Sequence, residues 1–245
     1  MNVILGENRE KFVNYAHRGA SEYTPENTFL AFYTGMYIES NGIETDVQMT
    51  KDGILVLFHD DTILRLTGES GAIQDYTLEE LRRFTFTKNG LLDKIVTFED
   101  FLKQFAFRDI TFAIEIKQAG IEKEIADMMR KYDVCGKSVV TSFMFESLKE
   151  IKEYAPEIRV GWLKHGVDDQ DIEKLKAIGG EEICPIVAEL TPDRVEKWHH
   201  EGLNVRAWGV KNEEDMKYVY DCMADGMTCN FPDKLTAYIK AQRKA

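Results

Sequence analysis

Stretches that favour strands alternate with stretches that favour helices along almost the whole chain. That rhythm constrains the fold more than any other feature. Phe12 to His17, Ile43 to Thr50, Ile110 to Ile116, Ser138 to Thr141, Arg159 to Leu163, Glu182 to Val187, Asn204 to Val210 and Gly226 to Asn230 read as strands. Helical patterns cover Pro25 to Ser40, Phe98 to Phe105, Ile121 to Tyr132, Phe145 to Tyr154, Asp169 to Ile178, Pro192 to Glu201, Glu213 to Asp221 and Lys234 to Arg243. The first of these helices is expected to open with Thr24 as N-cap and Pro25 in the first turn. A further strand, Ile54 to Phe58, should fold back on Ile43 to Thr50 across the Lys51-Asp52-Gly53 turn. Eight strand–helix units in 245 residues predict an α/β chain closed into a (β/α)8 barrel. An open doubly wound sheet would ordinarily carry G-x-G-x-x-G after its first strand, and Arg18-Gly19-Ala20 does not match it.

One stretch breaks the rhythm. Asp60 to Lys94 contains Gly68, Gly71, Gly90 and a short helical pattern, Leu78 to Phe84, and reads as a small insertion after the second strand, over the mouth of the barrel. With no linker, repeat or low-complexity run, residues 1–245 read as a single domain.

Net charge bounds the partners. At −12 the chain lacks the basic excess that nucleic acid or anionic lipid would require, although a few local cations can still hold a small phosphorylated molecule. The cysteines, Cys135, Cys184, Cys222 and Cys229, show neither C-x-x-C spacing nor a dense disulfide pattern, and read as reduced core thiols. Val3-Ile4-Leu5 is far too short for a signal-peptide core or a membrane span, so the expectation is a cytoplasmic protein without stable membrane insertion.

Chemistry concentrates at strand ends, where a barrel of this kind keeps its active site. His17 and Arg18 end the first strand, and His59 ends the hairpin strand beside Asp60. Glu44 and Asp46 are two apart in a β-prone stretch, so both carboxylates face one way. Side by side they repel, and a bound cation is the simplest resolution. Glu115 and Lys117 close the third strand on one face, either as a site pair or as a structural ion pair. Trp208 lies late in the seventh strand, and His165 at the end of the fifth could line the pocket. His199 and His200, adjacent on a helix, read as ordinary core or surface residues rather than catalysts.

These residues fall into motifs. Ala16-His17-Arg18-Gly19-Ala20, Pro25-Glu26-Asn27-Thr28, Glu44-Thr45-Asp46-Val47, Thr50-Lys51-Asp52-Gly53 and His59-Asp60 are followed by Arg65-Leu66-Thr67-Gly68, Gly71-Ala72-Ile73, Glu115-Ile116-Lys117, Ser142-Phe143 and Ala207-Trp208-Gly209-Val210-Lys211-Asn212. In that order, across nearly the whole chain, they resemble the glycerophosphodiester phosphodiesterase family. The resemblance implies a TIM barrel with a small insertion after the second strand. It implies metal-dependent hydrolysis of a small-molecule glycerophosphodiester to glycerol 3-phosphate and an alcohol. Carried over by position, Glu44, Asp46 and Glu115 match the metal carboxylates, and His17 and His59 the acid/base pair. Arg18 and Lys117 match positions near the phosphate, and Asn27 a polar position beside the site.

Three carboxylates without a thiolate favour Mg²⁺ or Ca²⁺ over zinc. Trp208 offers a flat apolar face to the glycerol or head group. The roles of base and acid stay undivided between the two histidines, and the nucleophile is either water or the substrate's own glycerol hydroxyl. Two alternatives are a phospholipase-like relative, which should expose a sustained apolar or basic loop, and a non-catalytic barrel, which should have lost a histidine or a carboxylate. One departure stands out. Where the family usually reads Thr-Asp-Tyr-Pro, this chain has Cys229-Asn230-Phe231-Pro232, and the missing aspartate is expected to affect details of substrate orientation rather than the core chemistry.

Overall fold

The structure, a computed structural model, describes residues 12–243. The Val3–Leu5 run lies outside them. β1 (Val13–His17) leads through α1 (Phe29–Tyr37) to β2 (Gly42–Met49) and β3 (Leu55–Leu57). Then come α2 (Leu64–Thr67), a 3-10 turn (Ile73–Asp75), α3 (Leu78–Leu81), β4 (Phe86–Lys88), β5 (Leu91–Asp93) and α4 (Phe98–Phe105). Strict alternation follows: β6 (Thr111–Ile116), α5 (Glu122–Lys131), β7 (Ser138–Ser142), α6 (Phe145–Tyr154), β8 (Arg159–Lys164) and α7 (Asp169–Ala177). It continues through β9 (Glu182–Pro185), α8 (Pro192–His200), β10 (Asn204–Val210), α9 (Glu213–Asp221), β11 (Gly226–Cys229) and α10 (Pro232–Gln242).

β1 pairs in parallel with both β2 and β11, which closes β1, β2, β6, β7, β8, β9, β10 and β11 into the expected eight-stranded parallel barrel. β2 is longer than β1, and its free upper end, Val47 to Met49, pairs antiparallel with β3 as the hairpin signal predicted. Outward-facing Ile43, Val47, Ile114 and Ile116 belong to the core shared with the helices, while inward-facing Tyr15, Ala113 and Val139 form a separate cluster inside the barrel. α4 shows the logic locally. Thr97 caps it by accepting from the Asp100 N–H at 3.0 Å, while Phe98, Phe101, Leu102 and Phe105 bury one face. Among the described residues no helix is long and apolar enough to cross a membrane.

The expected start of α1 is corrected. Thr28, not Thr24, is the N-cap, accepting from the Ala31 N–H at 3.2 Å. Thr24 instead donates to the Ala20 carbonyl, and Asn27 adopts φ +54°, which breaks the helix before it. α3 ends at Leu81 rather than Phe84, because the chain closes with Phe84 N–H on the Leu81 carbonyl.

Residues 60–94 pack largely around an apolar cluster of their own. Ile63, Ile73, Leu81 and Phe86 bury a separate apolar cluster with Val56, Phe58 and Ile95. The β4–β5 hairpin docks onto the loop after β1. Lys88 donates to the Ser21 carbonyl, Asn89 to the Glu22 and Tyr23 carbonyls, and Asp93 accepts from the Leu30 N–H.

Candidate active site

Strand register assembles the acidic group. His17 stands level with Glu44 across β1 and β2, and Asp46 stands level with Glu115 across β2 and β6. Because Glu44 and Asp46 share one face, all three carboxylates enter the barrel mouth. One oxygen from each lies within 4.8 Å of the others, the only such His/Cys/Asp/Glu group among the described residues.

Their charges are incompletely met. Asp46 is 0% exposed. Its Oδ2 accepts from Asn27 Nδ2 at 2.8 Å and lies 3.3 Å from Arg18 Nε, but its Oδ1 has no hydrogen-bond partner. Glu44 Oε2 accepts the Arg18 backbone N–H at 3.0 Å, and Glu115 Oε1 accepts from Lys117 Nζ at 3.0 Å. Burial, then the charges of Asp46 and Glu115, push the Glu44 carboxyl well above its ordinary range. Burial and Asp46 push Glu115 up to about 7. Three carboxylates beside only two fixed cations, with one buried oxygen unpartnered, fit a divalent cation. The donors are all oxygens, which suits a hard ion.

The Arg18-Gly19 turn places the arginine. Arg18 has φ +55° and Gly19 φ +79°, and a Cβ on Gly19 would lie 2.5 Å from the Ala31 carbonyl carbon, so glycine alone lets the turn sit on α1. Arg18 Nη1 donates to Glu26 Oε1 at 2.8 Å.

Each imidazole is held at Nδ1. That of His17 lies 2.6 Å from Asn230 Oδ1, and that of His59 lies 2.7 Å from Asp60 Oδ1. Nδ1 is thus the donor in both rings, and in the neutral form Nε2 carries the free lone pair. His17 keeps 30% of its side-chain surface exposed, with Nε2 3.9 Å from Glu44 Oε2. Enclosure by the barrel mouth, then the Arg18 charge, lower its pKa to about 4.

A cavity of about 220 Å³ gathers His17, Arg18, Glu44, His59, Glu115 and Trp208. Trp208 donates to the Cys184 carbonyl at 3.0 Å and meets Phe143 edge-on at 5.0 Å. His165 packs behind it, 4.7 Å away, rather than lining the cavity. Two other residues named from the sequence stand back from the lining. Asn27 is 1% exposed and lies behind the cavity wall, its amide spent on Asp46 and on Thr45. Lys117 is tied to Glu115 and also stands outside the lining.

The contacts of several residues were not legible in the sequence. Arg206 forms part of the lining and pairs with Glu182 at 2.8 Å inside the barrel. It stands two residues before Trp208 and so on the same face, a signal that period-two counting would have found. Asn230 contacts the imidazole of His17, a partner that the sequence did not assign to it. Glu26, Asp60 and Arg65 join into one ion network at the rim.

The model of the glycerophosphoryl diester phosphodiesterase family matches residues 17–234. A glycerophosphodiester phosphodiesterase of Caldanaerobacter subterraneus subsp. tengcongensis is 30% identical over 92% of this chain and 96% of its own. One from Bacillus altitudinis is 31% identical over 90% of this chain and 95% of its own. The fold is shared with an Oleispira antarctica phosphodiesterase solved in complex with the product sn-glycerol-3-phosphate, at a TM-score of 0.80 and 23% identity, covering 92% of this chain and 96% of that one. With this agreement along almost its full length, the chain belongs to the glycerophosphoryl diester phosphodiesterase family.

Proposed function

We propose that this chain hydrolyses glycerophosphodiesters to glycerol 3-phosphate and an alcohol, with Mg²⁺ or Ca²⁺ held by Glu44, Asp46 and Glu115. The observation that carries this reading is a closed acidic triad whose Glu44 and Glu115 share one cavity with both imidazoles. When bound, the cation supplies positive charge against a non-bridging phosphate oxygen and offsets the repulsion that protects a diester from attack.

The protein's own groups do the rest. Arg18, pinned by Glu26, presents N–H donors to the phosphate, and such a donor contributes about 2.7–4 kcal/mol once charge grows in the transition state. Lys117, fixed on Glu115, adds a positive field behind it. Asn27 steers the Asp46 carboxylate from below. His17 and His59 work through Nε2: one withdraws the proton from the attacking oxygen and the other protonates the leaving alkoxide. Each step is worth about 10²–10⁴-fold. Phe143, Leu163 and Trp208 form an apolar wall for the carbon part of the substrate. The barrel and residues 60–94 act together as one catalytic domain.

The test is direct. Purified protein is given glycerophosphocholine, glycerophosphoethanolamine and glycerophosphoglycerol, and glycerol 3-phosphate is read with a coupled dehydrogenase. Release with Mg²⁺ or Ca²⁺ that EDTA abolishes supports the reading. Release of phosphocholine instead, or no release with any divalent cation, overturns it.

A further inference from the structure

Arg65 has no part in the chemistry above, yet it is the most heavily bonded side chain at the rim. Its Nε donates to Asp60 Oδ2 at 2.6 Å and its Nη2 to Asp60 Oδ1 at 3.0 Å. Its Nη1 donates to Glu26 Oε2 at 2.9 Å and its Nη2 to Glu26 Oε1 at 2.7 Å. The two oxygens that share Nη2 are the ones that matter. Asp60 Oδ1 also faces His59 Nδ1, and Glu26 Oε1 also takes Arg18 Nη1. One guanidinium thus stands between the imidazole of His59 and the guanidinium of Arg18.

We propose that Arg65 is a positioning residue that sets His59 and Arg18 in register through Asp60 and Glu26. The proposal rests on the functional reading given above. Asp60 is the immediate neighbour of His59, and successive side chains of an extended chain point apart, so their contact needs a bend that something must hold. Arg65 holds it from the short α2 helix. That helix is anchored by buried Ile63 and closed by Gly68, whose N–H bonds the Leu64 carbonyl. Burial would raise the Glu26 and Asp60 carboxyls, but their hydrogen bonds to Arg65, with Arg18 on Glu26 and His59 on Asp60, hold both down at about 2. Both therefore remain anionic acceptors across the working range.

The fork geometry excludes simple replacement. A lysine ammonium is a single point charge and cannot grip two carboxylates in fixed planes. The side chain of Arg65 is 48% exposed, so an ordinary stabilising role would be small. Loss of Arg65 should act on turnover instead.

The experiment compares Arg65→Ala, Arg65→Lys, Asp60→Asn and the Arg65→Ala/Asp60→Asn double variant, with His59→Ala as control. Each is assayed for kcat and KM on glycerophosphocholine and for thermal midpoint. Arg65→Ala should lose about 10–100-fold in kcat, with a midpoint close to that of the parent. Arg65→Lys should recover only part of the loss. The double variant should be no worse than its poorer single parent, because both substitutions break the same chain of contacts. Turnover within threefold of the parent in Arg65→Ala, or fully multiplicative losses in the double variant, overturns the proposal. If His59→Ala itself turns over normally, the reading of the site fails, and the positioning role fails with it. A dead His59→Ala beside a normal Arg65→Ala overturns the positioning role alone.

Discussion

Nδ1 of His17 stands 2.6 Å from Oδ1 of Asn230, so the residue just past the last barrel strand orients an imidazole at the end of the first. Ser21 Oγ donates to the same oxygen at 3.1 Å and holds the amide in place. Asn230→Ala frees the ring to rotate and should lower kcat about 10–100-fold with little change in thermal midpoint. Asn230→Asp keeps an acceptor for the Nδ1 proton and should stay within a few-fold of the parent. Steady-state kinetics on both variants decide it, and equal loss in the two would refute the orienting role.

Asp46 Oδ1 is buried without a partner, and Glu44, Asp46 and Glu115 crowd one another. A cation that enters should therefore stabilise the fold as well as the reaction. At a hundredfold excess over Kd the gain is about 2.7 kcal/mol, a rise in midpoint of about 5–10 °C for a chain of this length. Glu115→Gln removes one of the repelling charges. It should raise the midpoint of EDTA-treated protein while abolishing the response to added Mg²⁺ or Ca²⁺. Calorimetry with and without each cation reads both effects, and an unaltered cation response in Glu115→Gln would remove that residue from the ligand set.

What the sequence disclosed follows from short-range periodicity. Strands and helices alternate visibly because their apolar patterns differ, and Glu44 and Asp46 could be paired because residues two apart on a strand share a face. The place of Asn27 was not readable. It depends on left-handed turns at Arg18 and Asn27, which tuck its amide under Asp46. Nor was the contact between His17 and Asn230, which exists only because β11 closes on β1. Thr24 misled for a similar reason: it matches the N-cap pattern, yet its hydroxyl is taken by the Ala20 carbonyl.

Arg206 and Glu182 form an ion pair inside the barrel, with the Arg206 guanidinium 5.2 Å from the Tyr15 ring centre. Arg206 is 2% exposed, so the pair owes its place to mutual compensation rather than to water. Arg206→Met leaves Glu182 buried without its cation and should cost about 3–5 kcal/mol. Adding Glu182→Gln removes the stranded charge and should recover a large part of that loss. Urea unfolding of the single and double variants measures the coupling, and strictly additive effects would argue against a direct pair.

His199 Nε2 lies 2.8 Å from Asp225 Oδ2, which also accepts the Val205 N–H at 2.7 Å. The hydrogen bond to Asp225 raises the His199 pKa above its ordinary value. The protonated ring is the bonded form, so its contribution is fully present below the unfolded-state pKa of about 6.5 and fades as pH rises through the raised folded value. The ring is part-exposed, which limits the contribution to about 0.2–1 kcal/mol, or about 0.4–4 °C in midpoint. His199→Gln should therefore melt below the parent in mildly acidic buffer, and the gap should narrow in alkaline buffer, where the parent imidazole is neutral. Thermal scans of both proteins across that range provide the check. A gap that stays constant with pH would show that the pair contributes through packing and not through the charge of His199.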